Sequence, residues 1–152
     1  MSRYLLDSDT LSALFDTASP SHNLAVAHLA KLNNTDAVGL SIITLCELEY
    51  SQWGFNDLAD QVRVQQFIER CKAEFAIVNI NLQTAELYGK LKHQLKTKNG
   101  ASTKSMRRHN VDIMLAATAM ATGCTVVSGD QIFSVLEKLN SGLKSRNWLA
   151  EN

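Results

Sequence analysis

Four acids in this sequence stand where chemistry can be done: Asp7, Glu47, Asp112 and Asp130. Asp7 ends the apolar run of "YLLDSDTLSALF", with Asp9 two positions on, and Asp130 closes the similar stretch "CTVVSGDQIF". Glu47 sits among apolar neighbours in "SIITLCELEYS", and Asp112 opens "DIMLAATAMA" just after a basic stretch. Charge is poorly tolerated in such surroundings unless it is compensated. Two carboxylates about 5 Å apart repel by about 3 kcal/mol at an effective dielectric of ~20. A cluster of four would therefore need protons or cations, and hard oxygen donors suit Mg²⁺ or Mn²⁺. Such ions polarise a phosphodiester, acidify an attacking water and stabilise the leaving oxygen. Taken singly, each acid has a plainer reading, as a helix cap or a partner of a helix dipole.

The elements that must position these acids alternate between strand and helix. Strands are expected at 3–6, 37–41, 75–80 and 124–128, with an edge strand within 143–149. Helices are expected at about 9–16, 20–33, 43–53, 57–73, 84–98, 111–123 and 131–139. Ser19 is the expected cap of the second helix, with Pro20 in its first turn. Gly123 suits the end of the apolar helix that begins near Asp112. Alternation of this kind predicts an α/β fold: a three-layer α/β/α sandwich around a mainly parallel sheet of four or five strands. Ligands of such sheets sit beyond the carboxyl ends of the strands. Asp7 and Asp130 follow two of those ends, and Glu47 and Asp112 lie near helix starts that face the same edge.

These blocks, in their order and spacing, resemble the motifs of PIN-domain ribonucleases, and among them the VapC-type toxins of toxin–antitoxin pairs. The most specific is "VDIMLAATAMATGCTVVSGDQIF"; the likeness runs over nearly the whole chain, whose length suits a single domain, 1–152. The resemblance implies a Mg²⁺- or Mn²⁺-dependent endoribonuclease cutting single-stranded or loop RNA. It implies catalytic and metal-binding roles for Asp7, Glu47, Asp112 and Asp130, with support from Ser128 and Asp9. It also implies an antitoxin partner and a homodimer. Two departures are visible: Asp9 stands where the family usually has Asn, and "MRRHNV" replaces a glycine-rich lead into the third acid.

Between Glu86 and Asp112 there is no acid, while seven of the chain's fifteen basic residues fall there: Lys90, Lys92, Lys96, Lys98, Lys104, Arg107 and Arg108. Such a block beside an acidic site would hold an RNA backbone through its phosphates, with Lys98, Lys104, Arg107 and Arg108 the first candidates. The alternative is a solvated helix face and a mobile loop over "TKNGASTKSMRR". His93 and His109 could serve as ligands or proton shuttles, but read first as ordinary exposed histidines. Tyr50, Trp53 and Phe55 either pack at a helix–helix corner or form an apolar surface for a second subunit or an antitoxin peptide.

Bulk properties exclude little. The 152 residues carry 45% apolar and 20% charged side chains at zero formal net charge, which suits an ordinary globule and names no partner. Nothing resembles a signal peptide, and no apolar run reaches the ~18 residues of a membrane span, so the expected location is cytoplasmic. Cys46, Cys71 and Cys124 form no CxxC pair and are expected as reduced, buried thiols. Two rival readings stand beside the nuclease. One is a PIN-like module that binds RNA or a partner without cutting it. The other is a haloacid-dehalogenase-type phosphatase, because "DSDTL" has its D-x-D shape, although Leu11 stands where Thr or Val is expected.

Overall fold

The computed structural model describes residues 1–151. Five strands form one sheet: β1 (Arg3–Leu6), β2 (Ala37–Ser41), β3 (Ala76–Val78), β4 (Thr125–Val127) and β5 (Ser145–Arg146). Their spatial order is β3-β2-β1-β4-β5, and every pairing is parallel. Eight helices connect them: α1 (Ser8–Phe15), α2 (His22–Ala30), α3 (Ile42–Gln52), α4 (Leu58–Glu74), α5 (Leu82–Lys98), α6 (Thr103–Arg108), α7 (Asn110–Thr122) and α8 (Ile132–Leu139).

The period-two alternation of the strands divides the core between the two faces. Leu5 and Val126 point into one cluster with Leu91, Leu95, Ile113, Phe133 and Leu136, which come from α5, α7 and α8. Leu6, Leu40 and Val127 point into the other with Leu11, Leu45, Ile68 and Trp148. The two central strands are thus buried on both faces, as a parallel sheet requires, and the architecture is the expected three-layer α/β sandwich. Gly39 of β2 lets β3 approach: a Cβ there would stand 2.8 Å from the Ala76 carbonyl oxygen.

Several expectations shift. The second helix begins at His22 behind Ser21, and Ser19 and Pro20 lie in the preceding turn, where the Ser19 hydroxyl accepts from the Ser21 amide at 3.3 Å. The third and fifth strands are shorter than read, at 76–78 and 145–146. The stretch read as a mobile loop contains α6, capped by the Ser102 hydroxyl and anchored by buried Met106. Cys71 and Cys124 are buried, but Cys46 is exposed, because it lies on the outer side of α3. On α4 Ile68 is buried while Leu58 and Val62 are exposed, as are Tyr50, Trp53 and Phe55. No helix among the described residues is long and apolar enough to cross a membrane.

Candidate active site at the carboxyl edge of the sheet

Since all strands are parallel, their carboxyl ends share one edge. Asp7 leaves β1 there. Its amide still donates to the Val127 carbonyl of β4 at 3.0 Å, so it is held as the last rung of the sheet. Its carboxylate Oδ1 accepts from the Ser8 amide at 2.8 Å and caps α1. Oδ2 accepts from the Ser128 hydroxyl at 2.9 Å. Asp7 is therefore both a helix cap and a member of an acidic group. It is 8% exposed. Burial, and then the charge of Asp9, raise its pKa from 3.8 to about 6, against the pull of the Ser128 and Ser8 hydrogen bonds; Asp112 adds to the rise.

Glu47 comes from the second turn of α3, which starts where β2 ends and is capped by the Ser41 hydroxyl. Burial raises its pKa from 4.5 to about 7, and the charges of Asp7 and Asp112 push in the same direction. Asp112 lies in the first turn of α7. The three acids thus repel one another across β1, α3 and α7. Asp7 and Glu47 are thereby destabilised as anions.

Asp9 joins this edge from the first turn of α1, and Ser128 from the position just after β4. Asp9 Oδ2 accepts from the Gly129 amide at 2.8 Å and lies 3.3 Å from the Ser128 hydroxyl. A Cβ at Gly129 would stand 3.1 Å from that carboxylate oxygen and 3.0 Å from Leu149, so the approach depends on glycine. The Ser128 hydroxyl has a single proton and two acidic neighbours; Asp7 is the nearer. The Ser128 oxygen in turn accepts from the Asp130 amide at 3.0 Å.

Asp130 is placed differently. It is exposed, and its Oδ1 accepts from the Ile132 amide at 3.0 Å at the start of α8. It lies between two open cavities of 310 Å³ each. One extends toward Arg146 and Asn147. The other reaches Asn99, Ser102, Ser105 and His109 at the α5–α6 turn. Of the basic block, Lys98, Lys104, Arg107 and Arg108 are exposed around that turn. Lys92 is not free: its ammonium donates to Asn110 Oδ1 at 2.8 Å and to the Tyr88 hydroxyl at 3.0 Å.

His109 is a functional candidate that its sequence context does not single out. Instead of being an ordinary exposed histidine, it is 18% exposed in its side chain, and its Nδ1 lies 2.8 Å from Asp112 Oδ2. Its i, i+3 spacing to Asp112 is the one available signal, but that spacing means little until both residues are known to share one helical turn.

Among the described residues no three His, Cys, Asp or Glu side chains converge tightly enough to chelate an ion as they stand. The donor set still fits Mg²⁺ or Mn²⁺. It is all oxygen, and it contains two acids that burial and repulsion hold partly protonated near neutral pH. Magnesium commonly keeps most of its waters and takes only one or two carboxylates directly.

Comparison with known proteins agrees with this architecture. No curated protein matches the chain in sequence. Among solved structures, the fold is similar to VapBC-1 from nontypeable Haemophilus influenzae, with a TM-score of 0.75 and 20% identity over 97% of this chain and 99% of that one. It is similar to FitAcB from Neisseria gonorrhoeae, with a TM-score of 0.77 and 22% identity over 97% and 99%. It is also similar to DNA-bound VapBC from Salmonella typhimurium, with a TM-score of 0.70 and 21% identity over 97% and 99%. Identities this low speak for the fold alone. The PIN domain family model matches residues 4–139, so the chain belongs to the PIN domain family.

Proposed function

We propose that this protein is a Mg²⁺- or Mn²⁺-dependent endoribonuclease that cuts single-stranded or loop RNA and serves as the toxin of a toxin–antitoxin pair. The observation that carries this reading is the gathering of Asp7, Glu47 and Asp112 at the carboxyl edge of the sheet, where burial and the charges of neighbouring acids oppose the ionisation of Asp7 and Glu47. An arrangement that is unfavourable alone becomes favourable around a divalent cation. Asp7 and Asp112 would hold the ion directly, Glu47 would complete its shell, and Asp130 would act through water or beside a second ion. A bound ion of this kind acidifies the attacking water and stabilises the leaving oxygen.

The remaining work falls to the chain. Ser128 keeps the Asp7 carboxylate turned toward β4, and Asp9 is held against the Gly129 amide. Lys98, Lys104, Arg107 and Arg108, exposed around the α5–α6 turn that borders the cavity reaching Asp130, supply phosphate contacts and bring affinity with little sequence information. No protein side chain is needed as a covalent nucleophile. Two of the solved structures named above are of VapBC, one of them bound to DNA, and a similar structure from Mycobacterium tuberculosis is described as a member of the VapBC family of toxin–antitoxin systems. Together with the exposed apolar residues Tyr50, Trp53, Phe55, Leu58 and Val62, they favour a protein partner: an antitoxin and a second copy.

The lack of a ready three-donor set among the described residues favours the second reading, a PIN-like module that binds without cutting. A mixed pool of single-stranded and hairpin RNA, incubated with Mg²⁺ or Mn²⁺ and separately with EDTA, decides between them. Cleavage that needs the metal and disappears in Asp7→Asn and Asp112→Asn supports the nuclease. Binding without cleavage supports the module. The phosphatase reading has no role for Glu47 or Asp112; a phospho-Asp7 adduct would be required to revive it. Growth arrest on induction, relieved by a small neighbouring gene, tests the toxin assignment.

A further inference from the structure

We propose that His109 is a positioning residue for Asp112: through its Nδ1–H it aims the Asp112 carboxylate into the acidic group and thereby sets the affinity of that group for a divalent cation. The inference rests on the metal-site reading above and adds to it a residue that neither the sequence motifs nor the family likeness supplied.

The geometry is specific. Nδ1 of His109 lies 2.8 Å from Oδ2 of Asp112, with both side chains largely covered. An ionised carboxylate only accepts, so the ring nitrogen facing it must carry the proton. One carboxylate oxygen is thus engaged by the ring, and the charge of the group opposes the ionisation of Asp7 and Glu47.

The His109 backbone is itself fixed on both sides. Its amide donates to the Ser105 carbonyl at 3.2 Å, closing α6, and its carbonyl accepts from the Ile113 amide at 2.9 Å, opening α7. The ring is therefore carried on the corner between two helices. The next residue, Asn110, is tied to α5 by Lys92 and Tyr88, so the first turn of α7 is held from a second direction. This is the arrangement in which outer-shell partners matter: a carboxylate fixed by a hydrogen bond loses less rotational freedom when a metal arrives.

The corner has an evident origin in the sequence. The basic stretch "TKSMRR" forms the short helix α6, and His109, which ends it, also opens α7 one turn before Asp112.

The test measures Mn²⁺ binding to the metal-free full chain by calorimetry or electron paramagnetic resonance, together with the nitrogen NMR spectrum of the histidine rings. His109→Ala is expected to weaken Mn²⁺ affinity by about 10–100-fold. His109→Asn places an amide N–H near the Nδ1 position and is expected to recover most of that loss. His109→Gln, which reaches past it, is not. In the wild type the Nδ1–H signal of His109 should be protected from exchange and lose that protection in Asp112→Asn. Wild-type Mn²⁺ affinity in a folded His109→Ala, or equal loss in the Asn and Gln variants, overturns the inference while leaving the metal site intact. Absence of Mn²⁺ binding by the wild type itself overturns both.

Discussion

The hydroxyl of Ser128 lies 2.9 Å from Oδ2 of Asp7, although the two residues are 121 positions apart in the chain. This contact ties the end of β4 to the end of β1, and it is one of two hydrogen bonds that restrain the rise of the Asp7 pKa. Ser128→Ala is expected to push that pKa higher still and to leave the Asp130 amide without its acceptor. Metal affinity, and Mg²⁺-dependent RNA cleavage at limiting metal, should fall by about 10–100-fold. A cleavage rate measured across a Mg²⁺ series checks this: saturating metal should recover most of the loss.

The metal-free protein should be more stable in mild acid than at neutral pH. Asp7 and Glu47 hold their protons more tightly when folded, at about 6 and about 7, than their ordinary values of 3.8 and 4.5. The folded state is therefore penalised wherever they are ionised. The penalty is absent below the ordinary values, grows as pH rises through the interval up to the folded values, and is complete above about pH 7. Melting in EDTA should show Tm rising by several degrees between about pH 8 and about pH 5. Saturating Mg²⁺ should flatten that slope, and Asp7→Asn should raise the metal-free Tm at the alkaline end. A metal-free Tm that is level across this range would contradict the repulsion.

Arg107 and Arg108 are exposed at the end of α6 and enter no ion pair among the described residues. Replacing both with Ala should leave the fold unchanged and weaken RNA binding across sequences alike. For single-stranded RNA, the plot of log affinity against log salt should flatten by roughly 1.4, about 0.7 for each phosphate no longer neutralised. Fluorescence anisotropy over a NaCl series reads this directly; an unchanged slope would exclude the pair from the RNA path.

Gly39→Ala should be strongly destabilising despite its chemical modesty. The new methyl would stand 2.8 Å from the Ala76 carbonyl oxygen, which is backbone and cannot step aside without parting β2 from β3. Crowding of this kind costs about 1–3 kcal/mol. Urea unfolding should show a lower midpoint, with metal binding reduced because α3 and Glu47 hang from the end of β2.

The sequence by itself determined the alternation of strands and helices, because apolar runs of four or five residues and apolar stripes at helical spacing are local patterns. It also determined that Asp7, Glu47 and Asp112 follow or open elements meeting at one edge, since a parallel sheet leaves no other place for its carboxyl ends. Tertiary structure decided which acids share a field. The charges of Asp7 and Asp112 act on Glu47, while Asp130 turns its carboxylate to the start of α8. It decided that "STKSMRR" is helical, because Met106 is buried only once α5 and α7 are packed beside it. It decided that Trp53 and Leu58 face solvent, for an apolar side chain at a helix corner has no local signal of direction. His109 and Asp112 show the limit most clearly. Their spacing is legible in the chain, but the hydrogen bond between them exists only because α6 and α7 meet in a corner that long-range packing holds.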